Sequence, residues 1–256
     1  MNEPNPARPA LTFFFPAYNE EANIERTVTR ALDEVGPLAT SLEVLAIDDG
    51  STDRTPQLAD QLAAADPRVR VVHQPNRGYG GALKAGFGNA RGELIAFSDG
   101  DLQFDLAELR RLLDRLADTS RPVDAVIGYR IKRRDPVHRL IIAKTYNAVV
   151  SVLFGLRVRD IDCAMKVFRR HVFEGLRLDS EGPFLSAELL IKLNARGVRM
   201  DQVGVTHYPR TAGQNTGASF LKILRTFRDI FRLRWALWTN RERTLGSAPA
   251  RSREAA

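Results

Sequence analysis

The feature that most constrains this chain is a series of short apolar runs separated by longer amphipathic segments. Residues 11–15, 42–47, 69–72, 94–97 and 123–127 read as strands, and the stretches between them carry helical periodicity. That alternation predicts a βαβ series. Strands so uniformly apolar fit a parallel sheet covered by helices on both faces, which places the chain in the α/β class. Ligands of such sheets sit beyond the carboxyl ends of the strands, so the residues just past each strand end matter most.

Three strands end in polar motifs. Phe15 is succeeded by Pro16, Ala17, Tyr18, Asn19, Glu20 and Glu21, and Ile47 by Asp48, Asp49, Gly50, Ser51, Thr52 and Asp53. Phe97 is succeeded by Ser98, Asp99, Gly100, Asp101, Leu102 and Gln103. Polar chemistry therefore gathers on one rim of the sheet.

Asp99 and Asp101 flank a glycine, so two carboxylates lie close together with no intervening side chain to block a ligand. Such a pair repels itself unless a cation intervenes, and a hard divalent ion, Mg²⁺ or Mn²⁺, suits oxygen ligands and can bridge to a diphosphate. Gln103 is placed to add an oxygen. A plain Asp-Gly turn accounts for the same residues. Asp49, one step beyond its strand, is positioned to accept from a base N–H, while Pro16 and Tyr18 offer flat apolar surface to a base. Ser51 and Asp53 read mainly as structural caps, and Glu20 and Glu21 also suit the first turn of a helix. The run from Asn76 to Gly81 precedes a helix expected to reach Ala90, and glycines at a helix start favour phosphate. Its spacing is not that of a nucleoside triphosphatase loop.

Taken in order, these segments resemble the family 2 glycosyltransferases, and within them the dolichol-phosphate mannose synthases and bacterial polyprenyl-phosphate glycosyltransferases. The resemblance covers roughly residues 11 to 217. It implies a GT-A fold, a Rossmann-like, mostly parallel sheet flanked by helices, with a divalent metal, Mg²⁺ or Mn²⁺, and inversion at the anomeric carbon. Carried across, Pro16, Ala17, Tyr18, Glu20, Ile47, Asp49, Asp99 and Gly100 would contact the nucleotide. Asp99, Asp101 and Gln103 would gather round the metal. The Asp-Leu-Gln ending at 101–103 is especially similar to the dolichol-phosphate mannose synthases, which implies a lipid-phosphate acceptor.

In the second half, Arg130 and Arg139 match arginines that the resemblance assigns to the acceptor phosphate, and the planar fork of arginine suits that task. Ala143 stands where those enzymes often carry a serine. Asp160 matches a proposed catalytic base, and Arg210 with Gly213 matches an Arg-x-x-Gly catalytic loop. Glu188 fits an acidic position of the family as well as an ordinary helix face. Cys163 and His207 read as structural.

The sequence has 256 residues, of which 44% are hydrophobic, enough for one large domain. The expected organisation is a tail at 1–10, a catalytic domain at 11–217, an amphipathic basic helix at 218–240 and a tail at 241–256. The single cysteine excludes an internal disulfide and a multi-cysteine metal site, and suits a reducing compartment. Residues 1–10 lack the features of a signal peptide. The longest apolar stretch, 140–156, is interrupted by Lys144, Asn147 and Ser151 and falls short of the roughly 18 residues a spanning helix needs.

A net charge of +7 calls for an acidic partner: nucleic acid, anionic lipid or a phosphorylated substrate. No nucleic-acid motif accompanies it. In the helix, Phe220, Ile223, Leu224, Phe227, Ile230, Phe231, Trp235 and Trp238 read as one apolar face, with Lys222, Arg225, Arg228 and Arg232 opposite. That face suits either an anionic membrane interface or packing on the domain or a partner. The localisation expected is cytoplasmic, with peripheral contact at the cytosolic face of a membrane.

The reaction expected is attack by a polyprenyl-phosphate oxygen on C1 of a hexose carried by a GDP- or UDP-sugar. Two rivals are a family 2 transferase that uses a saccharide or lipid hydroxyl, and a non-enzymatic nucleotide-sugar binding module.

Overall fold

The structure, a computed structural model, describes residues 9–131, 137–209, 220–240, 245 and 246. Seven strands form one sheet: β1 (Ala10–Ala17), β2 (Ser41–Asp48), β3 (Val69–His73), β4 (Leu94–Phe97), β5 (Ala125–Arg130), β6 (Lys166–Arg169) and β7 (Met200–Val205). Their order is β3-β2-β1-β4-β6-β5-β7, and every pairing is parallel except those of β6 with β4 and β5. Helices α1 (Ile24–Arg30), α2 (Thr55–Ala65), α3 (Gly78–Asn89), α4 (Leu109–Ala117), α5 (Val137–Phe154), α6 (Leu185–Ala195) and α7 (Phe220–Thr239) flank it. The α/β class and the mostly parallel sheet expected from the sequence are both present.

The chain winds outward from β1 to β3, then crosses back so that β4 lies on the other side of β1. That reversal opens a crevice beyond the strand ends of β1, β2 and β4, where a doubly wound sheet receives ligands. The floor beneath it is aromatic: Phe14 stacks on Phe97 at 5.3 Å, and Phe13, Phe14, Phe15, Phe97 and Phe168 are fully buried. In α4, Leu109, Leu112, Leu113 and Leu116 all face the core, the i, i+3, i+4, i+7 stripe of a helix packed on a sheet.

Two strands leave little trace in the sequence because their patterns are weak. β6 has four residues with a charge at each end, and β7 shows full burial only at its last two positions. The fifth predicted strand is displaced. Pairing of Tyr129 with Gly204 and Arg130 with Val205 carries β5 beyond the apolar run, while Val123 precedes it. The displacement puts Arg130 on the functional rim.

The helix at the C-terminal end departs from the single apolar face expected. Ile230 and Leu233 are buried and Phe227 and Leu237 pack on the core, whereas Phe231, Trp235 and Trp238 are exposed. The apolar residues therefore divide into an inward stripe and an outward one. Among the described residues no helix is long and apolar enough to cross a membrane. Leu245, inside the stretch expected to be a tail, is buried, and its carbonyl accepts from Arg196.

Candidate active site

The first wall of the crevice is made by two loops fastened to each other. Asn19 N donates to Ser51 Oγ at 3.0 Å, Glu20 N to Thr55 Oγ1 at 2.8 Å and Glu21 N to Asp53 Oδ2 at 3.2 Å. In return, Thr52 N donates to Asn19 Oδ1 and Arg54 N to Glu21 Oε2. Ser51, Asp53 and Glu21 thus spend their side chains holding the β1 and β2 loops together. Asp53 also caps the first turn of α2 by accepting from Thr55 N. Gly50 turns here with φ +71°, and a Cβ would lie 2.7 Å from Asn76 N, so the position requires glycine.

Asp49 is buried against the third loop. Its Oδ1 accepts from Gln74 Nε2 at 2.6 Å and Arg77 N at 2.8 Å, which leaves Oδ2 without a bond among the described residues. Tyr18 is 43% exposed beside it, a ring surface available for stacking. Pro16 is half-buried, while Ala17 and Ile47 are fully buried and offer no side-chain surface. Those two position the strands. Glu20 accepts from Asn23 Nδ2 at 2.6 Å.

The acidic pair lies at the end of β4. Asp99 is half-buried and accepts from the Tyr79 hydroxyl at 3.0 Å, and Asp101 Oδ1 accepts from Gln103 N at 3.2 Å. Gly100 between them packs so tightly that a Cβ would meet Phe15 Cδ2 and Pro16 O, each at 2.9 Å. Burial, together with the neighbouring charge of Asp101, pushes the Asp99 carboxyl up to about 7. Two carboxylates forced together in a cleft, with oxygen as the only donor, fit a hard divalent cation. Among the described residues no third His, Cys, Asp or Glu joins them, so the remaining ligands of such an ion would come from Gln103, solvent or a bound diphosphate. The Gln103 carboxamide donates through Nε2 to Tyr208 O, leaving its Oε1 available.

That contact also brings the late loop to the site. Tyr208 N donates to Gln103 O at 2.8 Å, and His207 bridges Phe104 and packs edge-on to its ring. Arg210, assigned to the catalytic loop, lies outside the described residues, as does the side chain of Arg139.

Asp160 and Arg130, expected as base and acceptor-phosphate ligand, are bound to each other. Arg130 Nε donates to Oδ2 at 2.6 Å, Nη2 donates to Oδ1 at 2.8 Å, and both side chains are largely buried. Burial alone would lower the arginine; its bonds to Asp160 outweigh that and raise it, so the cation persists. A carboxylate held by both forks of a guanidinium is a weak proton acceptor.

Several residues here carry no local signal in the sequence. Tyr79 lies in the glycine-rich segment, where the glycines are the conspicuous feature. Lys166 is fully buried opposite Phe97, bonded to Cys163 O and 5.3 Å from the Phe97 ring centroid, within the field of the carboxylates of Asp162, Asp160 and Asp99. Lys192 is fully buried, with its Nζ 2.6 Å from Glu188, and Glu188 also accepts from Asp179 N and Ser180 N. Glu188 thereby shapes the loop whose Glu181 carbonyl accepts from Gly80 N at the head of α3. Cys163 is buried and its thiol pushed up to about 12 by burial, so it is inert.

The fold is thus a doubly wound α/β sheet that carries an acidic pair at its switch point. The profile described as Glycosyl transferase family 2 matches residues 12–177, and the chain belongs to that family. It is 34% identical to glycosyltransferase AglD of Haloferax volcanii over 82% of this chain and 36% of that protein. It is 35% identical to a polyprenol monophosphomannose synthase of Mycolicibacterium smegmatis, covering 77% of each. It is also 30% identical to an undecaprenyl-phosphate 4-deoxy-4-formamido-L-arabinose transferase of Pectobacterium atrosepticum, over 86% of this chain and 66% of that one. The chain thus spans about a third to two thirds of the length of several of the relatives it matches. A similar fold occurs in glucosyl-3-phosphoglycerate synthase of Mycobacterium tuberculosis, crystallised with Mn²⁺ and UDP. The TM-score is 0.65 and the identity 20%, over 89% of this chain and 79% of that one. The GT-A fold expected from the sequence is therefore present.

Proposed function

We propose that this protein is an inverting, metal-dependent glycosyltransferase that moves a hexose from a nucleotide sugar to a polyprenyl phosphate. The observation that carries the choice of acceptor is the bidentate Arg130–Asp160 pair. An alcohol must lose a proton as it attacks and needs a base. A phosphate monoester, with a second pKa of about 6, is already largely dianionic at neutral pH. A site whose best-placed carboxylate is occupied by an arginine suits the second acceptor.

In this reading Tyr18 and Asp49 hold the nucleoside, and Asp99 and Asp101 hold a divalent cation. When bound, that cation supplies positive charge against the departing diphosphate. A phosphate oxygen attacks C1 from the face opposite the diphosphate; the new C1–O bond forms as the old one breaks, the nucleoside diphosphate departs, and the sugar on the product has inverted configuration at C1. Asp160 keeps Arg130 oriented on the acceptor side.

The outward face of α7 supports a place at a membrane surface. Phe231, Trp235 and Trp238 are exposed beside Arg228, Arg232 and Arg234, the composition of a helix lying in an anionic interface. The reading is checked by incubating the protein with Mn²⁺ or Mg²⁺, a polyprenyl phosphate and a panel of GDP- and UDP-sugars, with product detected by mass spectrometry. One donor is expected to yield a glycosyl-phospholipid only when metal is present. Donor hydrolysis alone would overturn the acceptor assignment, and no turnover with any donor would overturn the reaction.

A further inference from the structure

We infer that Lys144 and Arg159 form a phosphate-recognition subsite that selects a phosphomonoester over an alcohol. Beside the Arg130–Asp160 pair lies a cavity of ≈ 140 Å³ lined by Tyr129, Arg130, Lys144, Asn147, Arg159 and Asp160 among others. The inference rests on the acceptor reading above and adds to it the residues that recognise the charge. Arg130 and Asp160 cancel each other electrostatically. Among the described residues Lys144 and Arg159 have no carboxylate partner, so both cations on the cavity wall are available to an anion.

Arg159 is held in place from three sides. Its N donates to Gln202 Oε1 at 2.7 Å, its carbonyl accepts from Asn147 Nδ2 at 2.8 Å, and its guanidinium lies 4.7 Å from the centroid of the Tyr129 ring. Asn147 is one turn along α5 from Lys144, so the bond that fixes Arg159 also ties it to the helix that carries the second cation. Arg130 lines the same space, and its Nη1 takes no part in the two bonds to Asp160. A dianionic phosphate satisfies this arrangement; a hydroxyl leaves both cations without a counter-charge. The same helix exposes Ile141 and Ile142, apolar surface suited to a hydrocarbon chain.

The experiment is calorimetric titration of the full chain with farnesyl phosphate and with farnesol. Lys144→Met and Arg159→Met keep the apolar stems and remove the charges, and each is expected to weaken farnesyl phosphate binding about tenfold, with the double variant approaching about a hundredfold. Lys144→Arg and Arg159→Lys retain charge and are expected to lose less than the Met variants, Arg159→Lys the more of the two because it gives up the guanidinium stacked on Tyr129. Farnesol should show no difference among the proteins. Failure of the parent to bind farnesyl phosphate, equal affinity in the Met variants, or equal losses in the charge-keeping variants overturns the subsite. Turnover separates the two proposals. If the parent glycosylates polyprenyl phosphate and the double variant has an unchanged KM for it, the subsite is wrong and the transferase reading stands. If the charge dependence of binding appears but the parent moves no sugar to polyprenyl phosphate, the subsite stands and the transferase reading falls.

Discussion

The two halves of the sheet are built differently. Around β1, β2 and β4, each functional side chain sits within a few residues of a parallel strand end, and neighbouring loops are laced by short polar contacts such as Asn19 to Ser51 and Asp49 to Arg77. Around β5, β6 and β7, the antiparallel insertion of β6 brings together residues distant in sequence, Arg130 with Asp160 and Arg159 with Gln202. On the proposed reading, the first half is a cleft that takes a nucleotide and a cation. The second is a cationic wall beneath two helices, α5 and α7, that expose large apolar residues. On that reading, the donor is held by local motifs and the acceptor by a surface assembled from long-range contacts.

The largest effect that would sharpen this contrast is on the donor side. Asp101→Ala is expected to lower kcat/KM by about a thousandfold, by removing half of the cation's carboxylate pair, while the melting temperature changes little. A variant with near-parental activity would break the assignment of that cleft. On the acceptor side the largest effect is on stability. Arg130→Met removes the bidentate guanidinium bonds to the buried Asp160 carboxylate and is expected to cost about 3 kcal/mol in denaturant unfolding. Asp160→Asn leaves the largely buried Arg130 cation without that counter-charge and should cost a comparable amount, reduced in part because the amide oxygen still accepts a bond.

Gly100→Ala comes next. The added methyl meets Phe15 and Pro16 O at 2.9 Å, so a loss of about 1–3 kcal/mol is expected, together with weaker Mn²⁺ binding as the acidic pair shifts. The pH dependence tests the same pair without mutation. The folded chain keeps Asp99 protonated up to about 7, against about 4 when unfolded, so the metal-free protein loses stability as pH rises through that interval. A bound cation displaces that proton. Thermal stabilisation by Mn²⁺ is therefore expected to be larger at about pH 8 than at about pH 5.5, and equal shifts would contradict the assignment.

The smallest stability effect separates the two stripes of α7. Trp235→Ser with Trp238→Ser is expected to change unfolding by no more than about 0.5 kcal/mol per site yet reduce sedimentation with anionic vesicles. Ile230→Ala, on the inward stripe, should cost about 2–4 kcal/mol and leave vesicle binding in place.

The same contrast explains what the sequence discloses. Parallel strands buried on both faces stand out as apolar runs, and residues such as Asp49, Asp99 and Asp101 come directly after them. Hydropathy alone sets β5 too early in the chain, because pairing with β7 carries that strand on to Arg130. The ion pair joining Arg130 to Asp160 spans 30 positions, and nothing local to either residue announces it. Lys144 reads as an interruption of an apolar helix, and Arg159 as one of many surface arginines, until the fold sets them on one cavity. The division of α7 into two stripes likewise depends on where the domain lies beneath it.

The most direct measurement of the central claim is transfer from one sugar donor to polyprenyl phosphate and to the matching polyprenol, run side by side with Mn²⁺ at neutral pH. Glycosylation of the phosphate, with none detectable on the alcohol, is the result predicted for a site whose carboxylate is bound to arginine and whose wall carries unpaired cations. Preferential glycosylation of the alcohol would contradict it, and would make Asp160 a base after all.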